Sequence, residues 1–253
     1  MNLINNGDFA IATQTPPAGG NDATTIGGKL EGGQLDYNVS ATGWANGQDG
    51  SGNLGYTLIW NNDGTGASYA NNATKLSTAN GVDHAQLWNL NNGGVSSIPL
   101  PSGYTGNILG ADGAYEVGAL TQTVKNLVVG KTYALTFDYA AAQENGFDGT
   151  TTENWKVSLG RDEADTSVIN STTEHSFFGW DSYVHDFTAT STSEVLSFTA
   201  NGTPGSTQPP FVLLADVQLD EVPEAGTYLA GLFVLLPIGI TVMRRLRKPQ
   251  PVA

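Results

Sequence analysis

The stretch YALTFDYAA, residues 133–141, decides the fold. Tyr133, Leu135, Phe137 and Tyr139 recur at every second position, with Thr136 and Asp138 between them. Successive side chains of a strand point to opposite sides, so the pattern predicts a strand with one apolar and one wet face. A helix would need an apolar period near 3.6, and no stretch before residue 222 has one. Similar short runs extend in both directions. Downstream lie NWKVSLG (154–160), SYVHDFTA (182–189), EVLSFTA (194–200) and FVLLADVQL (211–219); upstream lie NLINNGDF (2–9), LGYTLIWN (54–61), DHAQLWNL (83–90) and ALTQTV (119–124). Gly, Asn, Asp and Ser clusters separate them at the spacing of a sandwich. The expectation is all-β: an antiparallel β-sandwich over residues 1–221, followed by a short C-terminal hydrophobic helix.

Composition agrees. Charged residues are 13% of the 253, and glycine alone supplies 32, which suits strands and polar turns better than helices. The net charge is −14, and four of the ten basic residues (Arg244, Arg245, Arg247, Lys248) sit in the last ten positions. Residues 1–221 therefore carry six basic and 23 acidic residues, a balance of −17. Such a body repels phosphate backbones, which argues against nucleic acid as a partner. Cysteine is absent, so disulfides, thiolate metal sites and cysteine nucleophiles are excluded.

From Tyr228 to Met243 run sixteen residues without charge. As a helix they would span roughly 24 Å at about 1.5 Å per residue, against a hydrocarbon core of about 30 Å. Snorkelling arginines and local thinning close a gap of that size. The basic run at 244–248 then stays cytoplasmic and residues 1–221 lie outside. Val222, Pro223 and Glu224, this apolar segment and the arginine-rich end together resemble the PEP-CTERM sorting signal of exopolysaccharide-producing bacteria. The second proline of that motif is Ala225 here. The resemblance implies a motif at 222–227, an apolar helix at 228–243 and a basic end at 244–248. It also implies recognition by an exosortase through Val222, Pro223, Glu224, Arg244, Arg245 and Arg247. Residues 228–243 would hold the chain in the membrane before processing, and the mature product would sit at the cell surface or outside it. MNLINNGDFA has no basic start, apolar stretch or small-residue cleavage site, so an export leader is expected upstream of Met1.

The body carries a second resemblance. Its elements are Asn6, Gly7 and Phe9; Trp44; the run QTVKNLVVGKTYALTF (122–137), read as a hairpin; Gly179, Trp180, Tyr183 and Phe187; and Ala215, Asp216 and Val217. Their order resembles the galactose-binding-like jelly rolls of carbohydrate-binding modules. That resemblance implies polysaccharide as the partner and leaves the glycan open, because the fold hosts many activities. Sugars are recognised by aromatic faces with a few carboxylates and amides for the hydroxyls. Trp88, Trp155 and Trp180 lie inside alternating strands and are expected in the core. Trp44 and Trp60 border Gly- and Asn-rich loops and, with Tyr56 and Asp63, are the candidates to face a ligand. The family often holds a structural calcium where first and last strands meet. Here Asp8 and Asp216 remain as its oxygen ligands, while Ala10 stands where a carboxylate commonly follows the first-strand Phe. DGSGN (49–53) imitates the start of a calcium loop, but Leu54 and Trp60 occupy its sixth and twelfth positions, so it reads as a polar turn.

Catalytic motifs are missing. His84, His175 and His185 have no metal-ligand spacing, and VGKT (129–132) lacks the earlier glycine of a phosphate loop, that position being Lys125. No G-x-S-x-G elbow occurs. The expectation is an exported, non-catalytic surface or matrix protein that binds polysaccharide. A structural or adhesive protein without a small ligand, a glycan hydrolase and an ice-binding surface remain the alternatives.

Overall fold

The computed structural model describes residues 1–14, 33–37, 39–60, 62, 87–90, 92–204 and 208–223. Among these residues every regular element is a strand: β1 (Ala12–Gln14), β2 (Gly33–Gln34), β3 (Val39–Ala41), β4 (Ala45–Asn46), β5 (Thr57–Trp60), β6 (Ile108–Asp112), β7 (Leu120–Lys125), β8 (Thr132–Gln143), β9 (Thr151–Leu159), β10 (Asp162–Asp165), β11 (Ile169–Ser171), β12 (Phe178–Thr188), β13 (Ser193–Thr203) and β14 (Pro210–Glu221). The inner sheet has the order β10-β9-β13-β7-β4, with β11 also on β9; the outer sheet has the order β12-β8-β14-β6-β5-β2. All strand pairings are antiparallel. Along the chain β7, β8 and β9, and again β12, β13 and β14, alternate between the two sheets, which is the wrapping of a jelly roll.

The predicted alternation places the core. Tyr133, Leu135, Phe137 and Tyr139 of β8 meet Leu120 and Val124 of β7, Trp155 and Val157 of β9 and Leu196 and Phe198 of β13 between the sheets. The run 122–137 is therefore not a hairpin. Its halves lie in different sheets and face each other across the core, joined by a turn with Gly130 at φ 84°. A second apolar layer covers the other side of the outer sheet, where Leu58, Trp60, Ile108, Ala140, Ala142, Phe211 and Leu213 pack with Leu87 and Ile98. Buried on both faces, β6 has no alternation to reveal it, although it bridges β14 and β5.

The opening NLINNGDF is also not a strand. Asn6 and Phe9 adopt positive φ (54° and 53°), and the segment docks on β14 through the Leu3 amide to the Leu219 carbonyl (2.9 Å) and the Val217 amide to the Gly7 carbonyl (3.0 Å). Of the predicted run 83–90, residues 83–86 lie outside the described residues, and Leu87 makes a single bridge to Glu144. Residues 228–243, predicted as an apolar helix, lie outside the described residues. Among the described residues no helix is long and apolar enough to cross a membrane.

The sandwich has two distinguishable ends. At one, β14 runs out at Glu221 and the Val222 amide bonds the Thr132 carbonyl at the start of β8 (2.9 Å). At the other, β14 begins at Pro210, paired with Gln143 at the end of β8. The eleven steps between the twelve residues of β14, at about 3.3 Å each, separate the two ends by roughly 36 Å.

Candidate functional site

Two of the predicted ligand-facing aromatics belong to the core. Trp44 is 5% exposed, wedged between Phe9 (5.3 Å) and Phe198 (6.1 Å), with its indole N–H donated to the Asn6 carbonyl (2.9 Å). Trp60 is 3% exposed and packs on Phe211 (6.0 Å) over Gly110, where a Cβ would stand 2.7 Å from the indole. Neither face is open to a sugar. Asp63, Glu224, Arg244, Arg245 and Arg247 lie outside the described residues, and Val222 and Pro223 follow β14 where the chain leaves the sandwich.

Asp8 and Asp216 come near one another around Tyr104. The Tyr104 hydroxyl lies 2.8 Å from the Asp8 carbonyl and 2.6 Å from the Asn107 carbonyl. Burial, opposed by the Asp216 amide and reinforced by both aspartates, raises its pKa well above the ordinary value. Each carboxylate has its own local donor, the Ala10 amide for Asp8 and the Gln218 amide side chain for Asp216. Among the described residues no group of three or more His, Asp or Glu is arranged to hold a metal ion. DGSGN is a polar turn, as its sequence indicates: Asp49 accepts from the amides of Ser51 and Asn53, which lowers its pKa.

The end of the sandwich remote from Val222 is different. Tyr56, the one predicted ligand residue that is described and not deeply buried, precedes β5. Its ring meets Phe211 (5.9 Å) and, in a T-shaped contact, Tyr115 (5.7 Å), and its hydroxyl lies 3.4 Å from Glu144. Glu144 bridges Leu87, and the next residue, Trp88, donates its amide to the Gln143 carbonyl (2.8 Å). The Trp88 ring stacks on His175 at 3.9 Å and 24°, and its indole N–H bonds the Phe147 carbonyl (2.8 Å). His175 Nε2 lies 2.6 Å from Asp148. Its backbone is left-handed (φ 58°), held there by Gln143, whose side chain accepts the His175 amide, and by Val95, whose amide bonds the His175 carbonyl. An unusual φ so tied down is often found at functional sites. Tyr115 and Phe147 are 45% and 38% exposed, and Trp88 is half-buried. Trp180, expected in the core, is also half-buried and donates to the Pro99 carbonyl (2.7 Å).

Beneath this rim lies Asp112. It shares a face of the outer sheet with Phe211, its cross-strand partner. Oδ1 accepts the amides of Ala114 (2.7 Å) and Tyr115 (3.1 Å), while the buried Oδ2 has no hydrogen-bond partner among the described residues. Burial pushes this carboxyl up to about 6 despite the two amides. The rim thus combines ring faces, which stack on the C–H faces of sugars, with Glu144 and Asp148, which accept from hydroxyls. Of these residues only Tyr56 was expected from the sequence to face a ligand, because the rim gathers loops from five separate parts of the chain.

Fold and rim define a jelly-roll protein with an aromatic, carboxylate-bearing end. The chain belongs to the family described as Protein of unknown function (DUF642), whose model matches residues 65–212, 148 of the 253. No curated protein matches. Among solved structures it is similar to a cyclase from Fischerella sp. TAU (15% identity, 84% of this chain and 98% of that one, TM-score 0.39). It is also similar to the CBM22-1 xylan-binding domain of Paenibacillus barcinonensis Xyn10C (10% identity, 56% and 83%, TM-score 0.33). A third similar structure is TmCBM61 in complex with β-1,4-galactotriose (13% identity, 46% and 72%, TM-score 0.31). Identities and TM-scores this low carry nothing about ligand or activity from those proteins to this one.

Proposed function

We propose that the chain is an exported, non-catalytic surface or extracellular-matrix protein that binds polysaccharide along the rim from Tyr115 and Tyr56 to Trp88 and His175. In this reading the C-terminal segment is a sorting signal processed by an exosortase. Until then residues 228–243 hold the chain in the membrane, with its C-terminus cytoplasmic. One observation carries the proposal: partly exposed rings and carboxylates gather at the end roughly 36 Å from the point where the tail departs. A tethered sandwich would then present this end outward. The reading needs no metal, since stacking and hydroxyl hydrogen bonds suffice.

Affinity electrophoresis of the full chain through gels cast with neutral polysaccharides and with partly de-N-acetylated amino-sugar polymers tests it. Retardation by at least one glycan is expected, with Trp88→Ala and Tyr115→Ala each reducing affinity about tenfold or more and leaving the fold intact, a loss in the range of one buried aromatic contact. Equal mobility in all gels would refute ligand binding and favour the structural or adhesive alternative. Release of reducing ends from a retarding glycan would overturn the non-catalytic part.

A further inference from the structure

We infer that the rim end takes a glycan carrying free amino groups, such as a de-N-acetylated amino-sugar polymer; this rests on the polysaccharide reading of the same site. Charge placement is the first argument. The described lysines and arginines are Lys125, Lys131, Lys156 and Arg161. Lys131 is the residue before β8 and pairs with Glu221 (3.8 Å), at the tail end. Lys125 closes β7 opposite Ser193, the start of β13, at that same end. Arg161 lies in the β9–β10 turn just past Leu159, and Lys156 sits on the inner sheet, paired with Glu163 (2.7 Å). Around the rim, by contrast, stand Asp112, Glu116, Glu144, Asp148 and Glu174, and among the described residues no lysine or arginine. A uronate, sulfate or phosphate glycan would meet like charge there, whereas an ammonium would be drawn in.

Asp112 is the second argument. Its Oδ2 is buried with no donor among the described residues, on the face shared with Phe211, against which Tyr56 packs. A carboxylate ionised near neutrality and left without a counter-charge is unfavourable, and a ligand cation offsets that penalty. The rings supply the rest, because an ammonium over a tyrosine face is attracted by its quadrupole. Tyr115 is tethered through its amide to Asp112, and its partly exposed ring packs edge-to-face with Tyr56 beside the carboxylate.

Calorimetric titration of the full chain near pH 7 with short glucosamine oligomers, their N-acetylated counterparts and galacturonate oligomers tests this. The amine oligomer should bind about tenfold or more tightly than the acetylated one, with no binding of galacturonate. Asp112→Asn keeps the Oδ1 acceptor for both amides and should remove most of that preference; Tyr115→Ala, a change at an exposed ring, should weaken amine binding as well. Equal affinity for both amino-sugar oligomers, or binding of galacturonate, sinks the inference and leaves polysaccharide binding standing. Silence toward all oligomers together with unretarded gels sinks both. Amine binding that ignores both variants and vanishes in moderate salt would be attraction to the acidic body, and would also overturn the inference.

Discussion

Replacing Glu153 by glutamine should flatten the pH dependence of stability. Glu153 is fully buried on β9, on the core-facing side that also carries Trp155 and Val157. The hydroxyls of Thr151 and Ser171 (2.9 Å) both donate to its carboxyl. Burial pushes its pKa from 4.5 up to about 7, more than the two hydroxyls pull it down. The folded state therefore holds a proton that the unfolded chain releases near 4.5. The resulting stabilisation is complete below 4.5 and is lost as pH rises through about 7. At about 1.4 kcal/mol per pH unit, the interval corresponds to about 3.5 kcal/mol at most. Glu153→Gln has the same shape and does not titrate. Urea unfolding of the full chain, followed by tryptophan fluorescence at intervals from pH 4.5 to 8, reads the difference. The variant should match the wild type within about 1 kcal/mol at pH 4.5 and exceed it by about 2 to 3 kcal/mol at pH 8. Asp112 and the acidic surface contribute equally to both proteins and cancel in the comparison. A gap between the two curves that stays constant with pH would refute the reasoning.

Two further outcomes follow from the packing. Trp44→Ala should cost about 3 to 5 kcal/mol in unfolding experiments, since it empties the space between Phe9 and Phe198 and frees the Asn6 carbonyl; a loss below about 1 kcal/mol would show that this ring is not in the core. Gly7→Ala should destabilise by about 2 kcal/mol or more, because its Cβ would stand 2.0 Å from the Val217 carbonyl oxygen, and an unchanged thermal midpoint would contradict the docking of residues 2–9 on β14.

How far the sequence could be read depended on what covers each face. Six of the longer strands, β7, β8, β9, β12, β13 and β14, lie where alternating or apolar runs predicted them, because a strand between core and solvent must alternate and β14 is apolar through Ala215 and alternates after it. β6 escaped because both its faces are buried. The aromatics reversed for the same reason. Trp60 borders a polar loop in sequence, yet its side of the outer sheet is roofed by the segment that contains Leu87 and Ile98. Trp88, one residue after Leu87, has the pattern of a core position but sits on that roof, beside His175. A pattern reports which way a side chain points and not what lies above it.

The sequence alone determined that this is an acidic, cysteine-free, all-β chain with strands placed by alternation, since these are properties of composition and short spacing. Tertiary structure decided that residues 122–137 cross from one sheet to the other, that Trp44 and Trp60 are core, and that Tyr56, Tyr115, Trp88, His175 and Asp112 share one end. It also decided where the four described lysines and arginines stand relative to that end. The reason is physical: such neighbours are tens of residues apart in the chain, and only the pairing of whole sheets brings them together.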